Sequence, residues 1–147
     1  MRKHISLIVL FLAAYSLVYS QNQLKFEHIS LKQGLSQSSV KCIYQDSKGF
    51  MWFGTLDGLN KYDGYKITVF RNNPDDSTSI PDNNINAIFE DASQRLWLGI
   101  AKTGLVRYNK IKNQFILYEH EPKNPNSLSD NTVTSICSQN DSTLWVG

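Results

Sequence analysis

Met51-Trp52-Phe53-Gly54 is answered 45 residues later by Leu96-Trp97-Leu98-Gly99 and a further 48 residues on by Leu144-Trp145-Val146-Gly147. The same two intervals relate Leu35, Ile80 and Leu128, then Val40, Ile85 and Val133, then Ile43, Ile88 and Ile136. Four columns in one register make an internal repeat, and a period of about 20 to 50 residues is the mark of solenoids, propellers and arrays. Asp57-Gly58-Leu59-Asn60-Lys61-Tyr62 corresponds to Lys102-Thr103-Gly104-Leu105-Val106-Arg107-Tyr108, with one residue added before the glycine. Two more enter before Phe115-Ile116-Leu117-Tyr118, the counterpart of Ile67-Thr68-Val69-Phe70, and the three additions explain the longer second interval. Pro74 and Ser79 of the linker match Pro122 and Ser127.

Each unit reads as four short strands. In the first unit Val40 to Gln45 ends at the turn residues Asp46-Ser47-Lys48-Gly49. Met51 to Thr55 is almost continuously apolar, as a strand covered on both faces should be. Gly54 and Gly99 inside it predict a close approach of neighbouring backbone, with Gly147 in the same column. Leu59 to Tyr62 follows, and Asp63-Gly64 predicts a hairpin into Lys66 to Arg71. A four-stranded antiparallel meander of about 45 residues has the size of a propeller blade. The expected fold is all-β, a partial β-propeller of two complete blades, residues 34–78 and 79–126, and the start of a third, 127–147. In residues 21–33, Leu24 to Ser30 reads as an additional strand, able to fill the last blade if the complete protein closes into a ring.

The first 20 residues differ in kind. Arg2 and Lys3 precede an apolar run from Ile5 to Val18, too short for a comfortable span of about 20 residues, and small residues follow; residues 1–20 read as a secretory signal peptide with cleavage before Gln21. Without them 13 basic residues face 13 acidic ones, which gives no basic face for nucleic acid. Export permits a disulfide, but Cys42 and Cys137 fall at non-equivalent repeat positions and read as two small buried hydrophobes.

The stretch Ile43-Tyr44-Gln45-Asp46-Ser47-Lys48-Gly49-Phe50-Met51-Trp52-Phe53-Gly54-Thr55-Leu56-Asp57-Gly58-Leu59-Asn60-Lys61-Tyr62 resembles the two-component regulator propeller repeat almost position for position. The second copy departs at Gln94, where the first has Gly49, and at Ile100, where the first has Thr55. The resemblance implies a longer parent, a hybrid histidine kinase with a periplasmic propeller sensor, a membrane span, a kinase and a receiver domain, often with a DNA-binding domain. It implies an oligosaccharide or other carbohydrate-derived ligand as partner, and a homodimer in that parent. None of the signalling chemistry is expected in this segment, for which no catalytic residue, no cofactor and no metal site is predicted. The competing expectations are a fragment of a secreted propeller enzyme acting on polysaccharide and a plain interaction scaffold. Since the chain stops inside the third repeat, a fragment is expected, and residues 21 to 147 alone should aggregate or stay partly unfolded.

Trp52, Trp97 and Trp145 have the shape to stack on sugar rings, but a residue required in every blade is filling a packing hole. Tyr62 and Tyr108 read likewise as core. Asp46 and Asp91 match the paired carboxylates of a glycosidase only in number; starting a turn in each repeat, they read as turn caps. Asp75, Asp76 and Asp82 lack calcium-loop spacing, and His28 and His120 lack a second metal ligand at suitable spacing. Candidates for ligand contact are therefore sought among non-repeating residues. Lys102, Lys110 and Lys112 flank the additions in the second unit, and His120 lies in Glu119-His120-Glu121, which differs from Arg71-Asn72-Asn73.

Overall fold

The computed structural model describes residues 24–147, so the signal peptide expected over residues 1–20 lies outside the described residues. Three antiparallel sheets follow one another. The first is β1 (Val40–Gln45), β2 (Met51–Thr55), β3 (Leu59–Tyr62) and β4 (Ile67–Phe70), hydrogen-bonded in chain order. The second is β5 (Ile85–Glu90), β6 (Leu96–Ile100), β7 (Gly104–Asn109) and β8 (Gln114–Tyr118), in the same order. The third pairs β9 (Ile136–Asn140) with β10 (Thr143–Val146). These are the two complete four-stranded blades and the beginning of another that the repeat predicts.

The repeat extends to irregularities of the backbone. Both inner strands have a register shift at the same place, between Val40 and Cys42 in β1 and between Ile85 and Ala87 in β5. The strands β1, β5 and β9 lie next to one another, which stacks the sheets side by side. Gly54 is needed there: a Cβ on it would meet the Cys42 sulfur and come within 2.9 Å of Ile85 Cγ2 on the next sheet. At Gly99 the same addition would lie 2.7 Å from Val133 Cγ1. The glycine column is thus the close approach of successive sheets.

One apolar cluster joins the first two sheets, with Trp52 and Leu59 of the first packed among Ile80, Ile85, Ile88, Leu98 and Tyr108. The indole of Trp52 lies 6.1 Å from Phe70 on its own sheet and 6.0 Å from Tyr108 on the next. Trp52 is 1% exposed and Trp97 8%, whereas Trp145 is 60% exposed, so the expectation of three equally buried tryptophans fails at the third. Among the described residues, β9 and β10 have no third or fourth strand and no following sheet to cover that indole. Its hydrogen-bond acceptor is also missing, since Gln139 stands where the first two repeats have Asp46 and Asp91.

The first sheet shows the opposite edge. Tyr62 is only half-buried, while Tyr108 packs against the preceding sheet, a neighbour the described residues do not give to Tyr62. Cys42 is half-buried and Cys137 exposed, which corrects the reading of both as buried hydrophobes; each is a free thiol. The strand expected over Leu24 to Ser30 does not form, and Leu24 and Phe26 are exposed. Instead Ser30 caps a 3-10 turn, Leu31–Gln33, through Lys32 N and Gln33. This turn is the upstream copy of the crossover: the Gly34 N–H donates to Leu31 O at 3.1 Å, as Ser79 does to Asp76 O and Ser127 to Asn124 O at 3.0 Å. Among the described residues no strand pairs with residues 24–30, and the local turn chemistry prevails.

Candidate functional site

The recurring carboxylates are built into the blades. Asp46 Oδ1 accepts the backbone N–H groups of Lys48 and Phe50, both at 3.0 Å, and Oδ2 accepts the Trp52 indole N–H at 2.9 Å. Asp91 repeats this with Ser93 N at 3.0 Å, Arg95 N at 2.9 Å and Trp97 Nε1 at 2.7 Å. One aspartate therefore closes the turn and fixes the tryptophan rotamer. Burial pushes both carboxyls up, but the indole and backbone N–H groups outweigh it and hold both below the ordinary aspartate value. A general acid needs the reverse shift.

The four residues proposed from non-repetition are not brought together. Lys102 sits in the turn before β7 and Lys110 and Lys112 in the turn after it, so the six-residue strand holds them about 20 Å apart. Lys102 and Lys112 are exposed. Lys110 is instead a structural tie: its ammonium donates to Glu90 Oε1 at 2.6 Å and to Asp46 Oδ2 at 3.4 Å, across the boundary between the first two sheets. Glu90 also accepts the Ser47 N–H of the first sheet at 2.6 Å. A lysine occupied by two nearly buried carboxylates is not free for a ligand.

His120 is also accounted for by the repeat. Its backbone N–H donates to Asn131 Oδ1 at 2.6 Å and its Nδ1 meets Leu128 O at 2.5 Å. In the preceding crossover Asn72 makes the same two contacts, N to Asn83 Oδ1 at 2.7 Å and Nδ2 to Ile80 O at 2.9 Å. A ring nitrogen substitutes for an amide in one staple, so the difference in residue type conceals an identical role.

Two grooves flank the strands of the second sheet. The larger, about 410 Å³, is lined by Trp97, Leu105, Leu117, Tyr118 and Leu128. Of their counterparts in the first repeat, Trp52, Leu59, Phe70 and Ile80 are the wall on which the second sheet packs, with Phe70 5.4 Å from Tyr108 and 5.8 Å from Phe115. By repeat symmetry this groove is a packing seat for a neighbouring sheet. The smaller groove, about 280 Å³, lies between the β5–β6 and β7–β8 turns, against Gln94, Arg95, Arg107, Asn109, Lys110 and Ile111. Arg95 Nε is tied to Asp91 Oδ2 at 2.6 Å, and Lys110 is tied as described. Arg107 has no carboxylate partner among the described residues; its guanidinium lies 6.0 Å from the Trp97 ring. Sequence reasoning did not single out Arg95, Arg107 or Asn109. The available signal was the residue-by-residue difference from Phe50, Lys61 and Asp63 of the first repeat.

Among the described residues no group of three or more His, Cys, Asp or Glu is placed to hold a metal ion. What the arrangement provides is a stiff pair of sheets with polar turns along one rim. Such a stack of four-stranded meanders around shared inner strands defines a β-propeller segment. Residues 34–57 and 79–101 match the two-component regulator propeller family.

The chain is similar over 82% of its length, at 37% identity and a TM-score of 0.75, to the extracellular domain of the hybrid two-component system BT3049 from B. thetaiotaomicron. It is similar over 84%, at 26% identity and a TM-score of 0.65, to the corresponding domain of BT4673 from the same organism. Each match covers 17% of that chain. A curated relative, histidine kinase P4 of Formosa agariphila, is 48% identical over 75 residues, which are 51% of this chain and 6% of that protein.

Proposed function

We propose that this chain forms part of the exported, ligand-sensing propeller of a hybrid two-component sensor and that the ligand is carbohydrate-derived. The observation that carries the reading is the similarity of 82% of the chain to the extracellular domain of such a system. The physical arrangement agrees with binding: repeated carboxylates are consumed in turn caps and held ionised, while residues that depart from the repeat line an open rim. A rigid scaffold with variable turns presents polar side chains without reordering them on each encounter. Kinase chemistry and dimerisation belong, in this reading, to the longer parent.

Two measurements test it. A reporter enzyme active only outside the cytoplasm, fused after Gln33, should be active; an inactive fusion of normal abundance overturns export. Titration calorimetry of the full-length protein against a panel of neutral, uronate-bearing and sulfated oligosaccharides should find saturable binding of at least one. No saturable binding across the panel overturns the carbohydrate assignment.

A further inference from the structure

The two complete blades are a built-in comparison, because positions that only hold the fold are free to stay the same. Across the β5–β6 and β7–β8 turns they do not. Gln94 replaces Gly49, Arg95 replaces Phe50, Arg107 replaces Lys61, Asn109 replaces Asp63, and the two residues added before β8 lengthen the second turn. These departures converge on the groove of about 280 Å³ on this rim. In the first repeat the corresponding lysine, Lys61, holds its ammonium over the Phe50 ring, 3.7 Å from the centroid, a cation–π contact where the second repeat has two guanidinium groups.

Three features give the groove a chemistry. Three of its lining side chains are cationic, and of these Arg95 is paired with Asp91 and Lys110 with Glu90 and Asp46, while Arg107 has no carboxylate partner among the described residues. Asn109 keeps the turn cap of Asp63, its Oδ1 accepting the Ile111 and Lys112 N–H groups at 3.1 Å, but without the carboxylate charge, and its Nδ2 is left to donate. Gln94 holds a left-handed backbone, φ 59°, where the first repeat has Gly49 at φ 84°. A side chain kept at a position that favours glycine costs stability, and such strain gathers at binding sites. Around the guanidinium stand amides able to meet hydroxyls and the exposed apolar side chain of Ile111.

We infer that this groove seats an anionic group, a carboxylate or a sulfate ester, through the fork of Arg107, with Gln94 and Asn109 hydrogen-bonding the molecule that carries it. This deepens the function proposed above and rests on it for the carrier, which is then an acidic saccharide. A planar guanidinium pairs bidentately with either anion, whereas the lysine of the first repeat offers a point charge.

The test uses the full-length protein with four probes: glucuronate, a sulfated disaccharide, its unsulfated parent and inorganic sulfate. Glucuronate and the sulfated disaccharide should bind at least about tenfold more tightly than the unsulfated sugar, and Arg107→Gln should remove that preference. Because Arg107 also lies over Trp97, Asn109→Asp is the second variant; it installs the first repeat's own residue, so folding is retained, and it should weaken anion binding by a similar factor. Equal affinity of charged and uncharged probes, or unchanged affinities in both variants, overturns the inference. If neutral sugars bind and neither variant matters, the groove fails while the carbohydrate reading stands. If inorganic sulfate binds in an Arg107-dependent way and no sugar does, the anion seat stands and the carbohydrate reading fails.

Discussion

Replacing Lys110 by Met would test whether the first two blades are joined by charge as well as by apolar packing. The ammonium reaches Glu90 Oε1 at 2.6 Å and Asp46 Oδ2 at 3.4 Å, and the two carboxylate side chains are 4% and 1% exposed. Methionine keeps the stem and leaves two nearly buried anions without their cation. Stripping a fully buried pair costs about 3–5 kcal/mol. Here the cost is smaller, because Asp46 keeps its three N–H donors and Glu90 keeps Ser47 N, and because the lysine side chain is 23% exposed and partly screened. The expected loss is about 1–3 kcal/mol, that of a charged hydrogen bond with a desolvated acceptor.

Urea unfolding at pH 7 of the unsubstituted protein, Lys110→Met, Glu90→Gln and the double variant gives the coupling directly, expected at about 1 kcal/mol. Acid adds an independent readout. Burial pushes both carboxyls up, yet the Trp52 indole at Asp46 and Lys110 at Glu90 bring them below their ordinary values of 3.8 and 4.5. Depressed carboxylates stabilise the fold above those ordinary values, and the stabilisation is lost as pH falls through the lower, folded-state values. Removing Lys110 lessens the depression, so acid unfolding should begin at higher pH. A Lys110→Met protein within about 0.5 kcal/mol of the unsubstituted one, or a cycle with no coupling, rules out the charge tie.

Further outcomes follow from packing. Gly99→Ala should destabilise by about 1–3 kcal/mol in urea titration, since the new methyl meets Val133 Cγ1 at 2.7 Å, and Val133→Ala should relieve part of the loss in the double variant. Trp52→Ala should cost about 3–5 kcal/mol and Trp145→Ala within about 1 kcal/mol, in keeping with exposures of 1% and 60%. At pH 8 iodoacetamide should label exposed Cys137 well before Cys42, whose thiol burial pushes up to about 11; equal rates by peptide mapping would contradict this.

The sequence carried the strands of the first sheet to within a residue because the signals are local: apolar runs, turn residues and a period repeated three times. The strand expected over Leu24 to Ser30, outside the repeat, does not form. β1, β2 and β3 occupy the residues the repeat predicts, and β4 is shorter by one at each end, Ile67–Phe70. The glycine column was legible for the same reason, and so were the aspartate turn caps, although their bond to the indole was not. Repetition misled where it was read as a proxy for environment. Trp145 shares a motif with Trp52 but not its neighbours, and His120 differs from Asn72 in type while doing the same work.

The meander, its length and the number of copies could be read without any coordinates, since each depends on a few adjacent residues. Which side chains of successive sheets meet emerged only from the way the sheets stack. Lys110 lies 64 residues from Asp46 and 20 from Glu90, and Arg107 of β7 meets Gln94 of the β5–β6 turn at one groove. Stacking geometry is a property of whole faces, and no local residue pattern records it.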